Sequence, residues 1–149
     1  MLRNEKGIVF IGEHEVTMDS KNRITIPSKW KEKLGLEIVI SKHYDDCLAI
    51  RTPVTFENYC EKLMSYDEND IKARALRRET LGRSHEIALD KWYRFVIPGS
   101  LATNLQKGTL VMVGVGDLIE VWSKEALKNW RDDERNRLET VGQELSQQK

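Results

Sequence analysis

Apolar and polar residues follow two different periods along this chain, and the places where the period changes divide it. His14-Glu15-Val16-Thr17-Met18 and His85-Glu86-Ile87-Ala88-Leu89 show the mixed alternation of a half-buried strand. Ile24-Thr25-Ile26 and Phe95-Val96-Ile97 are β-branched or aromatic, as strands prefer. Further apolar runs stand at Ile38-Val39-Ile40 and Leu110-Val111-Met112-Val113, followed by Leu48-Ala49-Ile50 and Leu118-Ile119-Glu120-Val121. Between these groups the period lengthens. Thr52 caps a helix with Pro53 at its first position, and Phe56, Tyr59, Cys60, Leu63 and Met64 keep helical spacing. Asn69 or Asp70 opens a second helix through Ile71, Ala75 and Leu76, closed by Gly82. Ser123 caps a third with apolar positions Leu127, Trp130 and Leu138, and the tail from about Gly142 is expected to fray.

These strand groups are a repeat. Met18-Asp19-Ser20-Lys21-Asn22-Arg23-Ile24-Thr25-Ile26-Pro27 returns 71 residues later as Leu89-Asp90-Lys91-Trp92-Tyr93-Arg94-Phe95-Val96-Ile97-Pro98. Each unit reads strand, tight turn, strand, helical turn, strand, turn, strand. Pro27 and Pro98 stop a strand and suit the first position of a short helix, with Trp30 and Leu34, or Leu101 and Leu105, as its buried stripe. Gly35 and Gly108 suit its C-terminal cap. The divisions are a half-domain over 8–54, a helical linker over 55–82, a second half-domain over 83–124, and a C-terminal helix and tail over 125–149.

Composition narrows the function classes. The 149 residues are 40% apolar and 32% charged, with 24 basic and 24 acidic side chains. Zero net charge argues against simple polyanion binding but permits DNA binding where charge is segregated. It is segregated. Lys21, Arg23, Lys29, Lys31 and Lys33 stand against Glu32 alone between Ser20 and Lys33. Seven bases (Lys72, Arg74, Arg77, Arg78, Arg83, Lys91, Arg94) face three acids between Ile71 and Arg94. Glu57 to Asp70 carries five acids and one base. Both basic runs flank the repeated Asp-x-x-x-Arg, which favours one positive surface for phosphates with a few base-reading side chains. Cys47 and Cys60 form no CxxC pair and read as reduced small hydrophobes. The five-residue apolar run near the N-terminus is too short for a signal peptide or membrane span, so the protein is expected to stay where it is made.

The repeated Asp-x-x-x-Arg is where the polar chemistry lies. An aspartate at the first turn position accepts backbone N–H bonds, and it pairs with the arginine to fix the guanidinium fork for a phosphate or a guanine edge. A turn-stabilising ion pair without a ligand is the plainer reading of a single copy; two copies in matching settings weigh against it.

The chain resembles the MraZ family of transcriptional regulators. The resemblance rests on Phe10 and Gly12, the stretch Asp19 to Pro27, the helical linker, the stretch Asp90 to Pro98, and Val113 to Ser123. It implies an α+β, β-rich fold in which two SpoVT/AbrB-like half-domains form a swapped-hairpin, double-psi-like β-barrel. It implies a cytoplasmic, nucleoid-associated protein that assembles as a ring-like homo-oligomer. It further implies binding to repeated promoter boxes of the division and cell-wall gene cluster on double-stranded DNA. Arg23 and Arg94 match the motif arginines, with Lys21, Lys29 and Lys91 as further DNA contacts and Asp19 and Asp90 holding the turns. One departure stands out. Asn22 tolerates a left-handed backbone and Tyr93 does so poorly, so the second turn is expected to differ in shape and Arg94 to contact DNA less than Arg23.

Other signals are bland. His14, His43 and His85 share no ligand spacing, so no metal is expected, and no cofactor is implied. Gly114-Val115-Gly116 lacks the rest of a dinucleotide fingerprint and reads as a turn. Trp92 and Tyr93 suit either stacking on a ligand or a subunit contact. No nucleophile–base pair marks an enzyme. The rival to a DNA-binding regulator is a scaffold or protein-interaction ring that does not read DNA, and the charge segregation weighs against it. No membrane partner is expected.

Overall fold

The computed structural model describes residues 3–4, 7–105 and 109–148. The chain is α+β and strand-rich. A short antiparallel pair, β1 (Arg3–Asn4) and β2 (Gly7–Ile8), precedes β3 (Phe10–Thr17), β4 (Arg23–Thr25) and α1 (Ser28–Leu34). Then come β5 (Glu37–Lys42), β6 (Leu48–Arg51), α2 (Pro53–Met64) and α3 (Ile71–Glu79). The second half holds β7 (His85–Ala88), β8 (Arg94–Val96), β9 (Thr109–Gly116), β10 (Ile119–Ser123), α4 (Lys124–Asp132) and α5 (Leu138–Ser146).

Strands from the two repeats interleave. The six-stranded antiparallel sheet runs β3-β9-β10-β6-β5-β7, and β4 pairs with β8 in a separate two-stranded ladder. Both repeats thus build one core. Ile24 and Phe95 of the ladder, Trp30 of α1, and Ile40, Met112 and Val121 of the sheet share one buried cluster. The Trp30 ring meets Phe10 edge-on and its indole N–H donates to the Ile11 carbonyl at 3.2 Å, which docks α1 on β3. On another side, Cys47, Val111, Trp122 and Leu127 form a second cluster under α4. There burial pushes the Cys47 thiol above its ordinary range, where it behaves as an inert apolar group. Among the described residues the six-stranded ladder does not close on itself: β3 and β7 are its edges.

Several elements depart from these expectations. Pro27 is the residue before α1 and not its first helical position, with φ −53° and ψ 138°. After Pro98 there is no α-helix, only a tight 3-10 turn at Ala102–Asn104. Gly99, Thr103 and Asn104 are poor helix formers where the first unit has Ser28, Glu32 and Lys33. Leu101 is buried and Leu105 packs against the main cluster all the same. Gly35 ends α1 as expected, its N–H donating to the Lys31 carbonyl at 2.9 Å; Gly108 lies outside the described residues.

The helices differ in register as well. Thr52 caps α2, accepting from the Thr55 N–H, and Asp70 caps α3, accepting from the Lys72 N–H at 2.8 Å. Yet α3 stops at Glu79, before Gly82, and buries Ala73, leaving Ile71 and Ala75 exposed. The helix capped by Ser123 breaks after Asp132. Asp133, extended at ψ 121°, accepts from the Arg135 N–H and starts a new turn, and adjacent carboxylates disfavour a helix C-terminus. Leu138 therefore belongs to a separate helix and is 81% exposed. Nor does the tail fray at Gly142, since α5 continues to Ser146.

Gly114 lies within β9 and not in a turn, whereas Gly116 ends the strand at the turn into β10. A Cβ on Gly114 would stand 2.7 Å from backbone atoms of Phe10 and Ile11, so the absent side chain lets β3 approach. Gly116 takes φ 108° where the chain leaves the strand, and the Val115 N–H donates to the Leu118 carbonyl across the turn.

Candidate nucleic-acid interface

Each motif is a turn built around one carboxylate. Asp19 Oδ1 accepts from the backbone N–H of Lys21 at 2.8 Å and of Arg23 at 2.9 Å, while Oδ2 accepts from Arg23 Nε at 2.7 Å. Asp90 repeats this atom for atom, with Trp92 N–H at 2.9 Å, Arg94 N–H at 3.0 Å and Arg94 Nε at 2.8 Å. Backbone bonds close both loops: Asn22 N–H to Asp19 O and Asp19 N–H to Arg23 O, then Tyr93 N–H to Asp90 O and Asp90 N–H to Arg94 O. Donation from the Arg23 backbone N–H does most to hold the Asp19 carboxyl down, at about 2. Desolvation pushes the Asp90 carboxyl upward, but the Arg94 and Trp92 donors outweigh it and leave it below the ordinary value.

The second turn does not differ in shape from the first. Asn22 and Tyr93 both sit at φ 60°. Tyr93 is held there by the bonds just described and by its own carbonyl, which accepts from the Ile26 N–H at 2.9 Å and extends the ladder. Its ring packs against the main cluster with the Lys31 ammonium 5.5 Å above it. The expectation that the second turn differs in shape fails for this reason: several bonds together exceed the cost of about 1 kcal/mol of a left-handed side chain.

Pairing of β4 with β8 brings the motifs together. Arg23 stands opposite Val96, and Thr25 opposite Arg94. Facing residues share a face, so Ile24 and Phe95 point into the core while Arg23, Thr25, Arg94 and Val96 lie on the other side. The two arginines are diagonal neighbours, with Cα atoms roughly 7–8 Å apart by the usual ladder spacing. Each aspartate engages its arginine through Nε, and among the described residues the Nη groups of both have no hydrogen-bond partner.

The lysines divide. Lys21 and Lys91 are exposed on the two turns, at opposite ends of the short ladder. Lys29 is exposed too, but its ammonium lies against Gly12 of β3, and no described contact joins it to either turn. Lys31, on the other hand, reaches the second turn through Tyr93, and its place in α1 one helical step from the motif was the available signal. Trp92 is 55% exposed, with Lys91 Nζ 4.3 Å and the Arg94 guanidinium 4.7 Å from its ring centre. The first turn has Lys21 at the equivalent place. Part of the second basic run is structural: Arg74 donates to the Glu68 carbonyl, Arg77 to those of Met64 and Tyr66, and Arg83 to that of Ser100.

Among the described residues no three His, Cys, Asp or Glu side chains gather to hold a metal, and no helix is long and apolar enough to cross a membrane.

A paired-arginine face carried on two interleaved repeats defines the class of this protein. The family model described as "MraZ protein, putative antitoxin-like" matches residues 9–79. Three similar proteins are each named Transcriptional regulator MraZ. That of Clostridium tetani is 38% identical over 83% of this chain and 88% of its own length. Those of Mycoplasmoides gallisepticum and Mesoplasma florum are 33% identical over 83% and 88%, and 29% identical over 94% and 97%. The chain belongs to the MraZ family.

Proposed function

We propose that this chain is a sequence-specific, DNA-binding transcriptional regulator that engages duplex DNA through Arg23 and Arg94. The observation that carries the reading is the diagonal placement of two arginines on the outward face of one ladder, each clamped at Nε with its Nη groups unpartnered among the described residues. A guanidinium fixed at one edge presents the other to a phosphate or to the O6 and N7 acceptors of guanine. Lys21 and Lys91 flank the pair and supply sequence-independent phosphate attraction, with Lys31 and Lys29 further along α1. Asp19 and Asp90 aim the arginines and touch no DNA.

The wider reading has 8–54 and 83–124 as SpoVT/AbrB-like half-domains completing a swapped-hairpin, double-psi-like barrel, with 55–82 as the linker. Its support is that each strand pairing between the halves crosses the repeat boundary, as β3 with β9, β10 with β6, β5 with β7 and β4 with β8. We further propose a cytoplasmic, nucleoid-associated, ring-like homo-oligomer acting at repeated promoter boxes. One pair of arginines covers few base pairs, and several copies on repeated boxes multiply affinity by raising effective concentration. A mobility-shift assay on DNA upstream of the chain's own gene tests the function. Saturable shifts that survive excess unrelated duplex support it, and equal competition by unrelated duplex refutes it.

A further inference from the structure

The cavity between β6, α2 and α3 has no part in the paired-arginine face, and its floor is a buried cation. Arg51 ends β6 opposite Val39 and is 3% exposed. Its Nη1 is buried without a hydrogen-bond partner, and among the described residues Arg51 forms no ion pair. The guanidinium lies 3.8 Å from the Tyr59 ring centre, an attraction that offsets a small part of the desolvation. Burial moves Arg51 below its ordinary pKa, but a guanidinium starts so high that it keeps its proton at neutral pH. A charge in this position calls for a counter-charge.

Two more polar groups on the same cavity want partners. Among the described residues, His43 Nδ1 and the Tyr59 hydroxyl are both buried without a hydrogen-bond partner of good geometry. Burial, and then the field of Arg51, keeps the His43 ring below its ordinary pKa and so neutral at pH 7. The cavity measures about 1100 Å³, with Tyr44, Tyr66, Leu63 and Leu76 among its walls. Few polar groups converging in an aromatic and aliphatic recess is the pattern of a small-molecule site. At the rim the charges of Glu61 and Lys62 offset each other, and the exposed Asp117 reaches Arg51 through its field without forming an ion pair with it, which leaves the guanidinium open to a contacting anion.

We infer that this cavity binds a small organic anion, a carboxylate or phosphate monoester on a flat apolar ring, with Arg51 as counter-charge and His43 and Tyr59 as hydrogen-bond partners. The anion meets the guanidinium at the floor, and the ring lies among Tyr44, Tyr59 and Tyr66. Of the two sources of negative charge, a free small molecule and a carboxylate of a second copy of the chain, the depth of Arg51 favours the first.

Calorimetric titration and thermal unfolding of the full chain at pH 7 with benzoate, phenyl phosphate and inorganic phosphate test this. Benzoate or phenyl phosphate binds saturably at one site per chain and raises the Tm, and inorganic phosphate binds at least tenfold more weakly for want of the ring. Arg51→Met weakens the organic probes at least tenfold. Tyr59→Phe weakens them about threefold and serves alone if Arg51→Met does not fold. Failure of both organic probes to bind the unaltered chain overturns the inference, as does equal binding by Arg51→Met or, where that variant does not fold, by Tyr59→Phe. If no probe binds and Arg51→Met or Tyr59→Phe lowers the assembled mass in light scattering, a neighbouring copy fills the cavity and the inference is likewise overturned.

Discussion

Asn22 and Tyr93 adopt the same left-handed backbone, φ 60° each, although one is a short amide and the other a bulky aromatic. An aspartate three residues earlier takes the same set of N–H donors in both turns. The turn is therefore imposed by its carboxylate and backbone bonds more than by the propensity of the residue that bends. The two arginines are clamped in the same way, and the exposed side chain two residues before each differs: Lys21 in the first, Trp92 in the second.

Arg23→Ala and Arg94→Ala are accordingly expected to weaken specific DNA binding by similar factors. A bidentate guanine contact is worth about 1–3 kcal/mol, or roughly 5- to 150-fold. Melting temperatures should change by no more than about 3 °C, because both side chains are partly exposed and their ion pairs sit at the surface. Fluorescence anisotropy at matched salt decides it, and a tenfold difference between the two losses contradicts equivalent presentation.

Tyr93→Gly is expected to leave DNA affinity within twofold, since the backbone already has the geometry glycine would permit. Relief of about 1 kcal/mol of left-handed strain is offset by loss of the ring's packing on the core, so the Tm should hold or fall. Binding more than twofold tighter would show that strain at Tyr93 limits the second motif.

The Asp19 carboxyl should titrate at about 2, below the ordinary 3.8. A carboxyl depressed in the folded state lends stability that is full above the unfolded value and is lost as pH falls through the folded one. The first turn thus keeps its form from neutral pH to about 4 and loosens between about 4 and 2. Arg23→Ala should raise the Asp19 value only part of the way, because the Lys21 and Arg23 backbone donors survive the substitution. Carbon-detected NMR titration of the carboxyl follows this, and a full return to 3.8 would assign the shift to the guanidinium alone.

Much of this architecture is legible in the residues, and what is not has physical reasons. The repeat exposes β4, β8 and both turns, because identical local chemistry recurs at a fixed offset. It does not disclose that β4 pairs with β8, since register between distant segments is settled by which faces a shared core buries. The meeting of Arg23 and Arg94 on one face was therefore invisible, although Thr25 between two buried isoleucines already marked the outward side. Repetition also misled. Pro98 promised the helix that follows Pro27, but Gly99, Thr103 and Asn104 do not sustain one. Gly114-Val115-Gly116 looked like a turn from end to end; Gly116 does enter one, but Gly114 marks a strand pressed against a neighbour.

Gly114→Ala should be among the more damaging single changes in the sheet. Its Cβ would meet Phe10 and Ile11 backbone atoms at 2.7 Å, and no side-chain rotation relieves a clash with main chain. Overpacking of this kind costs about 1–3 kcal/mol. Thermal unfolding should show a clear drop in Tm, whereas Gly99→Ala, with open space around its Cβ, should be nearly silent. Equal Tm values for the two would mean that β3 and β9 lie farther apart than described.

Arg23 and Arg94 together are proposed to form the DNA-reading surface. Anisotropy titrations of a labelled duplex from upstream of the chain's own gene, run across a salt series on the unaltered chain and on the Arg23→Ala/Arg94→Ala double variant, test it most directly. Neutralised phosphates fix the slope of log affinity against log salt, and each lost phosphate contact lowers that slope by about 1. The double variant is expected to fold normally, to lose its preference for the upstream duplex over an unrelated one, and to retain a shallower, lysine-borne salt dependence. A double variant with undiminished preference for the upstream duplex and the same salt slope would contradict it.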